Sequence, residues 1–271
     1  MPALDDHPLR YTLNSELHAR PFPSLTAPHV AAYLAVRLAH YGAPLPAEDA
    51  THYFGPMGKY TLKWEQHTEF VTYTVFLDQL GQRPFDPAEF DVFPQDWRAG
   101  LNAQRITSIL LRLVPRPPQD AQIAETLQDW FVPESLAVAS VLEDAAVIAS
   151  DFRIDPAGHM RMAIFASEGT GSRRLGRIVQ RLCEIETYKS MSMLGFAKVR
   201  EFSGQLDRID AELNDLMAGM AGTSAMAEDT LHRLLDISVG LEALSADASY
   251  RLGATEAYQA IVAQRIGALR E

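Results

Sequence analysis

The chain has 271 residues, 47% hydrophobic and 22% charged, with a formal net charge of -11. That length and composition suit one large globular domain or two smaller ones and exclude a disordered chain. The acidic balance excludes nucleic acid as a partner, because phosphate affinity needs clustered Lys and Arg; the single cysteine, Cys183, excludes an internal disulfide and a multi-cysteine zinc site.

The N-terminus has neither the basic start nor the apolar stretch of a secretory signal. No run approaches the ~20 apolar residues of a spanning helix, so the chain is expected to be soluble. Five prolines in the first 28 residues predict an irregular wrap around a head. His29–Ala39 reads as a strand, with Val30, Ala32, Leu34, Val36 and Leu38 on one face. A short helix is predicted from Ala47 to Phe54, ending at Gly55-Pro56. Lys59–Leu77, rich in Tyr, Thr, Val and Phe, is too long for one strand and predicts a hairpin turning near Glu65–Thr68.

Arg105–Val114 is the next strand, and Asp120–Phe131 has helical spacing. Leu136–Leu142 and Ala146–Phe152 read as strands. Asp155-Pro156-Ala157-Gly158 is a turn, with Pro setting φ at its second position and Gly supplying positive φ at its fourth; it closes a hairpin onto His159–Ala166. Strands arriving mostly as hairpins favour an antiparallel-rich sheet over a doubly wound parallel one.

After Gly169-Thr170-Gly171 the apolar period changes from two to 3.6. Val199, Phe202, Leu206, Ile209, Leu213, Leu216 and Met220 alternate at spacings of three and four, an a/d seam of three heptads. Gly219–Thr223 is read as a turn and Ser224 as an N-cap. Leu231, Leu234, Ile237, Leu241, Leu244 and Ala248 then carry a second seam, resumed by Tyr258, Val262, Ile266 and Leu269. The fold class is α+β: an antiparallel-rich sheet head with flanking helices over 1–170, then a long, coiled-coil-like antiparallel helical hairpin over 171–271. Its seam runs to the last residue without a cap, which reads as a stalk continuing in a longer parent protein.

Glu168–Gly176 joins a strand to a helix, where phosphate loops sit. Arg177-Ile178 stands where a Walker loop needs Lys-Ser/Thr, and Arg174 occupies the third glycine position of a dinucleotide loop, so a plain joint is the better reading. Arg173, Arg177 and Arg181 stack along the next helix beside Arg174. They form a candidate anion-docking stripe, read in preference as pairing with the acidic head and, along the helix, as Arg181–Glu184. Glu65, His67 and Glu69 are the candidate ligands for a divalent metal, the one cofactor that the residue pattern suggests. They would share one face of a continuous strand, whereas a hairpin turn there separates them. Cys183 reads as a small buried apolar residue. No HExxH, GxSxG, EF-hand or Cys/His metal spacing occurs.

Three segments carry a resemblance: Leu13–Pro21 (LNSELHARP), Lys63–Phe70 (KWEQHTEF) and Gln180–Lys189 (QRLCEIETYK), with Asp151-Phe152-Arg153 between the last two. In this order they resemble the bacterial family known as domain of unknown function 3422 (DUF3422), across the whole chain. The resemblance implies relatives tethered to the inner membrane on its cytoplasmic side by C-terminal apolar segments that this chain lacks. It singles out Glu16, His18, Arg20, Asp151, Arg153 and Glu184 as candidate functional positions without roles.

Three functions are compatible. The first is a non-enzymatic cytoplasmic head and stalk, forming homo-oligomers through its helices and meeting membrane only through segments outside this chain. The second is the soluble domain of a CorA-like ion transporter, an analogy of plan alone, since the Gly-Met-Asn pore motif is absent. The third is an enzyme with a site built from Glu16/His18/Arg20 and Glu65/His67/Glu69. The lack of a catalytic motif leans against the third.

Overall fold

Alternating β-branched and aromatic residues build one eight-stranded sheet, ordered β2-β3-β4-β1-β5-β8-β7-β6. The strands are β1 (His29–Leu38), β2 (His52–Met57), β3 (Tyr60–Gln66), β4 (Val71–Leu77), β5 (Ala103–Pro115), β6 (Ala137–Val141), β7 (Ala146–Ser150) and β8 (Met160–Ala166). This computed structural model describes residues 22–38, 51–78, 80–101, 103–220 and 227–271. Every neighbouring pair is antiparallel except β5 and β8, which run parallel. The α+β class expected from the hairpin pattern is the fold observed.

The middle of the sheet is covered on both faces. Ala31, Tyr33 and Ala35 of β1 point to one face with Ile109, Leu111 and Ile164; the long helix α3 (Ser172–Met220) lays Leu175, Ile178, Val179 and Cys183 over them. Ala32, Leu34 and Val36 point the other way. There they meet Phe90 and Phe93 of the turn after β4, and Ile123 and Leu127 of a short helix. The helices on that side are α1 (Gln95–Gly100) and α2 (Asp120–Trp130). Fully burying a side chain the size of Ile or Phe stabilises by about 1.5–3 kcal/mol, so both seams hold the sheet.

Three local readings need correction. His52–Met57 is a strand where a helix was predicted; Gly58, at φ 61, is the first residue of a two-residue turn pairing Met57 with Tyr60. Pro56 is tolerated because β2 is an edge strand, where a missing N–H breaks no inner ladder. The β3–β4 turn lies at His67–Phe70, closed by the His67 N–H on the Phe70 carbonyl at 2.9 Å, so Glu65 stays on its strand. Finally, α3 continues through Gly219 to Met220, while Ser224 and the rest of 221–226 lie outside the described residues.

The second long helix is α4 (Ala227–Arg270). The chain divides into two compact units, Met1–Thr187 with Arg265–Glu271, and Tyr188–Gln264. The pattern changes at Gly169–Ser172, but compactness divides the chain later, inside α3, because the first turns of that helix are part of the head's core.

In the second unit α3 and α4 pack antiparallel. The Tyr188 and Tyr258 rings are 5.5 Å apart, Thr255 packs against Gly195, Lys198 pairs with Asp247 at 2.8 Å, and Ile209 touches Gly240. Of the two expected seams, Phe202, Leu216 and Ile237 are buried and Ile209, Leu213 and Leu244 half-buried, whereas Val199, Leu206, Leu231, Leu234 and Leu241 are exposed. Two helices present one contact line to each other, narrower than the apolar stripe on either.

Candidate functional site

Along β3 the side chains alternate, and Lys63 and Glu65 fall on the face that α3 covers, opposite to Trp64. Lys63 Nζ lies 3.0 Å from Glu65 Oε2, with both side chains largely buried. The neighbouring strand places Thr74 beside Lys63 and Thr72 beside Glu65, and the next strand sets Tyr33 beside Thr74. A polar row thus crosses an otherwise apolar face. From α3, Thr187 meets it, and Cys183 and Glu186 on the same helix are buried as well. The hydroxyls of Thr187 and Tyr33 lie 2.7 Å apart.

Burial pushes the Cys183 thiol well above its ordinary pKa. The Lys63 ammonium opposes that, and the carboxylates of Glu184, Glu186 and Glu65 reinforce it. The cysteine is therefore held as a neutral thiol, useless as a nucleophile. Lys63 and Glu65 on the sheet and Glu186 on the helix are thus largely buried charges that all act on this thiol, an electrostatic joint between the two elements. Removing one member of such a group strands the others in a poorly solvated place.

The basic stripe at the start of α3 has internal partners. Arg177 stacks over the Phe22 ring at 5.1 Å, and Arg174 reaches Glu143 at 3.5 Å. Arg181 donates to the Ala268 carbonyl, one of the acceptors left unpaired at the end of α4. Burial lowers its pKa, with Arg177 and Arg265 adding to the effect. Glu184 accepts from Arg265 and from Gln180, rather than forming the expected bridge to Arg181. Arg173 is exposed.

Asp151 and Arg153 stand apart from this joint. Asp151 is fully buried, accepting from Arg161 at 2.5 Å and from the backbone N–H of Val132 and Arg153. Arg153 is exposed, its Nε 2.7 Å from Ser135 Oγ. β7, which leads into Asp151, is five strands from β3, roughly 24 Å at ordinary strand spacing. His67 and Glu69 lie in the β3–β4 turn, with the His67 ring stacked on Phe70 at 4.3 Å. Among the described residues no group of three or more His, Cys, Asp or Glu side chains could hold a metal ion. Glu16, His18 and Arg20 lie outside the described residues.

The structure therefore brings together parts of the second and third motifs through residues that the sequence reading had not ranked: Lys63, Glu186, Thr187 and Tyr33. Lys63 and Glu65 two apart on a strand, opposite two threonines, was the available signal. Another polar pair, Ser108 and His159, is buried elsewhere. Ser108 Oγ lies 3.0 Å from His159 Nδ1 and donates to the Gly158 carbonyl, which leaves its hydrogen unavailable to a base.

The chain belongs to the family described as protein of unknown function (DUF3422), whose model matches residues 5–271. No curated protein and no solved structure matches it. No described helix is long and apolar enough to cross a membrane.

Proposed function

We propose that this DUF3422 member works without catalysis, as a head that grips the root of a helical stalk through which the protein assembles. The observation that carries the reading is the joint of Lys63, Glu65, Glu186 and Cys183, with Thr187 against Tyr33. Side chains from two of the shared motifs meet where α3 lies on the sheet. Around the same root, Arg181 and Glu184 hold the last turns of α4. The lone cysteine, kept as a buried thiol, accords with a reducing cytoplasmic setting.

Lys63→Met tests the reading. A clamp loses stability, because the change leaves the buried Glu65 and Glu186 carboxylates without their cation, at a cost of about 3–5 kcal/mol. Charges kept for chemistry behave oppositely, since removing them relieves strain and tends to stabilise. A drop in melting temperature of several degrees is expected. An unchanged or raised melting temperature would overturn the clamp and favour an enzyme site at Glu65.

One observation favours the transporter head as a second reading. Residues 201–250 hold ten acidic and two basic side chains, a field that attracts cations. A cation bound only by the folded state raises the melting temperature. Millimolar magnesium or cobalt should then stabilise the chain beyond sodium at equal ionic strength, and equal effects would remove this reading.

A further inference from the structure

The helical unit keeps more apolar surface than its own two helices cover. At 100° per residue, Phe202, Ile209 and Leu216 centre the face that α3 turns to α4. Lys198 lies on that face at the angle of Leu216, while Val199, Leu206 and Met217 are rotated to one side of it. On α4 the centre is marked by Ile237, Leu244 and Arg251; Asp247 is rotated to one side, and Leu234, Leu241 and Leu252 to the other. In two antiparallel right-handed helices, rotations of the same sense from the contact line fall on the same flank. The six apolar side chains therefore lie together on one flank, each 40–62% exposed.

We infer that this flank takes a second copy of the same hairpin, laid antiparallel to the first. Two features select that occupant. Val199 and Leu206 on α3, and Leu234 and Leu241 on α4, are each seven residues apart, the repeat of one helix packing along another. Charge sets the direction. Residues 188–200 and 251–264 together hold four basic side chains and one acidic, against ten acidic and two basic in 201–250. Parallel copies would stack the acidic stretches over their whole length, whereas antiparallel copies overlap only the inner parts of those stretches and bring the far end of each towards the basic end of its partner.

The area suffices. From Val199 to Met217 a helix runs about 27 Å, and two helices side by side span about 20 Å. That gives roughly 500 Å² on each copy and about 1,000 Å² in all, the lower bound for a specific interface. A symmetric pair buries the same patch on both copies and closes on itself. This deepens the stalk reading and fails separately from it, because the clamp substitution probes the root and those below probe the flank.

Sedimentation equilibrium of the full chain at up to about 100 µM should give a dimer of micromolar affinity. Leu206→Glu with Leu241→Glu should give a monomer of unchanged helical circular dichroism, since both positions are exposed. If the glutamates reduce helicity, Leu206→Gln with Leu241→Gln carries the same test. Glu201→Gln, on the opposite flank, should leave the dimer intact. For direction, Met217→Cys is spin-labelled in a Cys183→Ala background. Antiparallel copies place the two labels about 30 Å apart and parallel copies about 10 Å. A monomeric chain, or a dimer that survives both flank substitutions, overturns the inference; a short label distance overturns the antiparallel arrangement.

Discussion

The Tyr33 hydroxyl on β1 and the Thr187 hydroxyl on α3 meet at 2.7 Å across 154 positions of chain. A buried hydrogen bond of this kind is worth most when one partner is removed and the other left without it. Tyr33→Phe is expected to cost about 1–3 kcal/mol, read as a lower urea midpoint at unchanged slope. An unchanged midpoint would show that the contact adds nothing to the joint.

Asp151 is fully buried against Arg161 and two backbone N–H groups. Asp151→Asn removes the charge that compensates Arg161, at an expected cost of about 3–5 kcal/mol in chemical denaturation. A loss below 1 kcal/mol would mean that solvent already compensates the arginine.

Gly176 sits where a Cβ would lie 1.6 Å from the Pro23 carbonyl oxygen. Gly176→Ala must therefore push the segment before β1 off α3, with a large fall in melting temperature. Gly204, in the same helix, has nothing within 4 Å of a Cβ. Gly204→Ala is expected to raise stability by about 0.5–1 kcal/mol, from helix propensity alone. Equal effects at the two positions would contradict this packing.

His159 has its pKa lowered, first by burial and further by Arg105 and Arg98, with Asp155 and Asp91 opposing. The folded protein thus holds a neutral imidazole at a pH where the unfolded chain already binds a proton. Stability is full above about pH 6.5 and falls as pH drops below it, down to the lowered folded pKa. Burial also lowers His29 and contributes in the same direction. His159→Gln should flatten the dependence of melting temperature on pH between about 7 and 5, and an unchanged slope would place the effect elsewhere.

Cys183 is buried, and its raised pKa keeps it protonated. An aromatic disulfide reagent should leave it unmodified at neutral pH in the native protein and titrate one thiol in denaturant. Rapid native labelling would mean that the root of α3 opens readily, which the joint around Lys63 opposes.

Much of the architecture was legible because its signals are local. Alternation marked β1, β5, β7 and β8; Asp155–Gly158 announced its turn, closed by the Gly158 N–H on the Asp155 carbonyl at 2.9 Å; and the 3.6 period marked both long helices. β2 was misread because Gly55-Pro56 resembles a helix stop, while the signal that counted was Gly58-Lys59, a hairpin turn pairing strands at the sheet's edge. The basic stripe was visible as charges, but Phe22 and the Ala268 carbonyl as partners of Arg177 and Arg181 were not.

What neighbouring residues could decide alone was therefore the element order, the α+β class and the chemical character of each face. Those follow from side-chain periods of two and 3.6, which need no distant partner. Only the tertiary structure decided that the Lys63–Glu65 pair lies under the face of α3 that carries Thr187, that Asp151 belongs to a different anchor, and that Val199 and Leu206 of the α3 stripe stay exposed. The physical reason is that a charge or an apolar stripe becomes stabilising or costly only through what desolvates it. Here the desolvating groups lie up to 154 positions away along the chain.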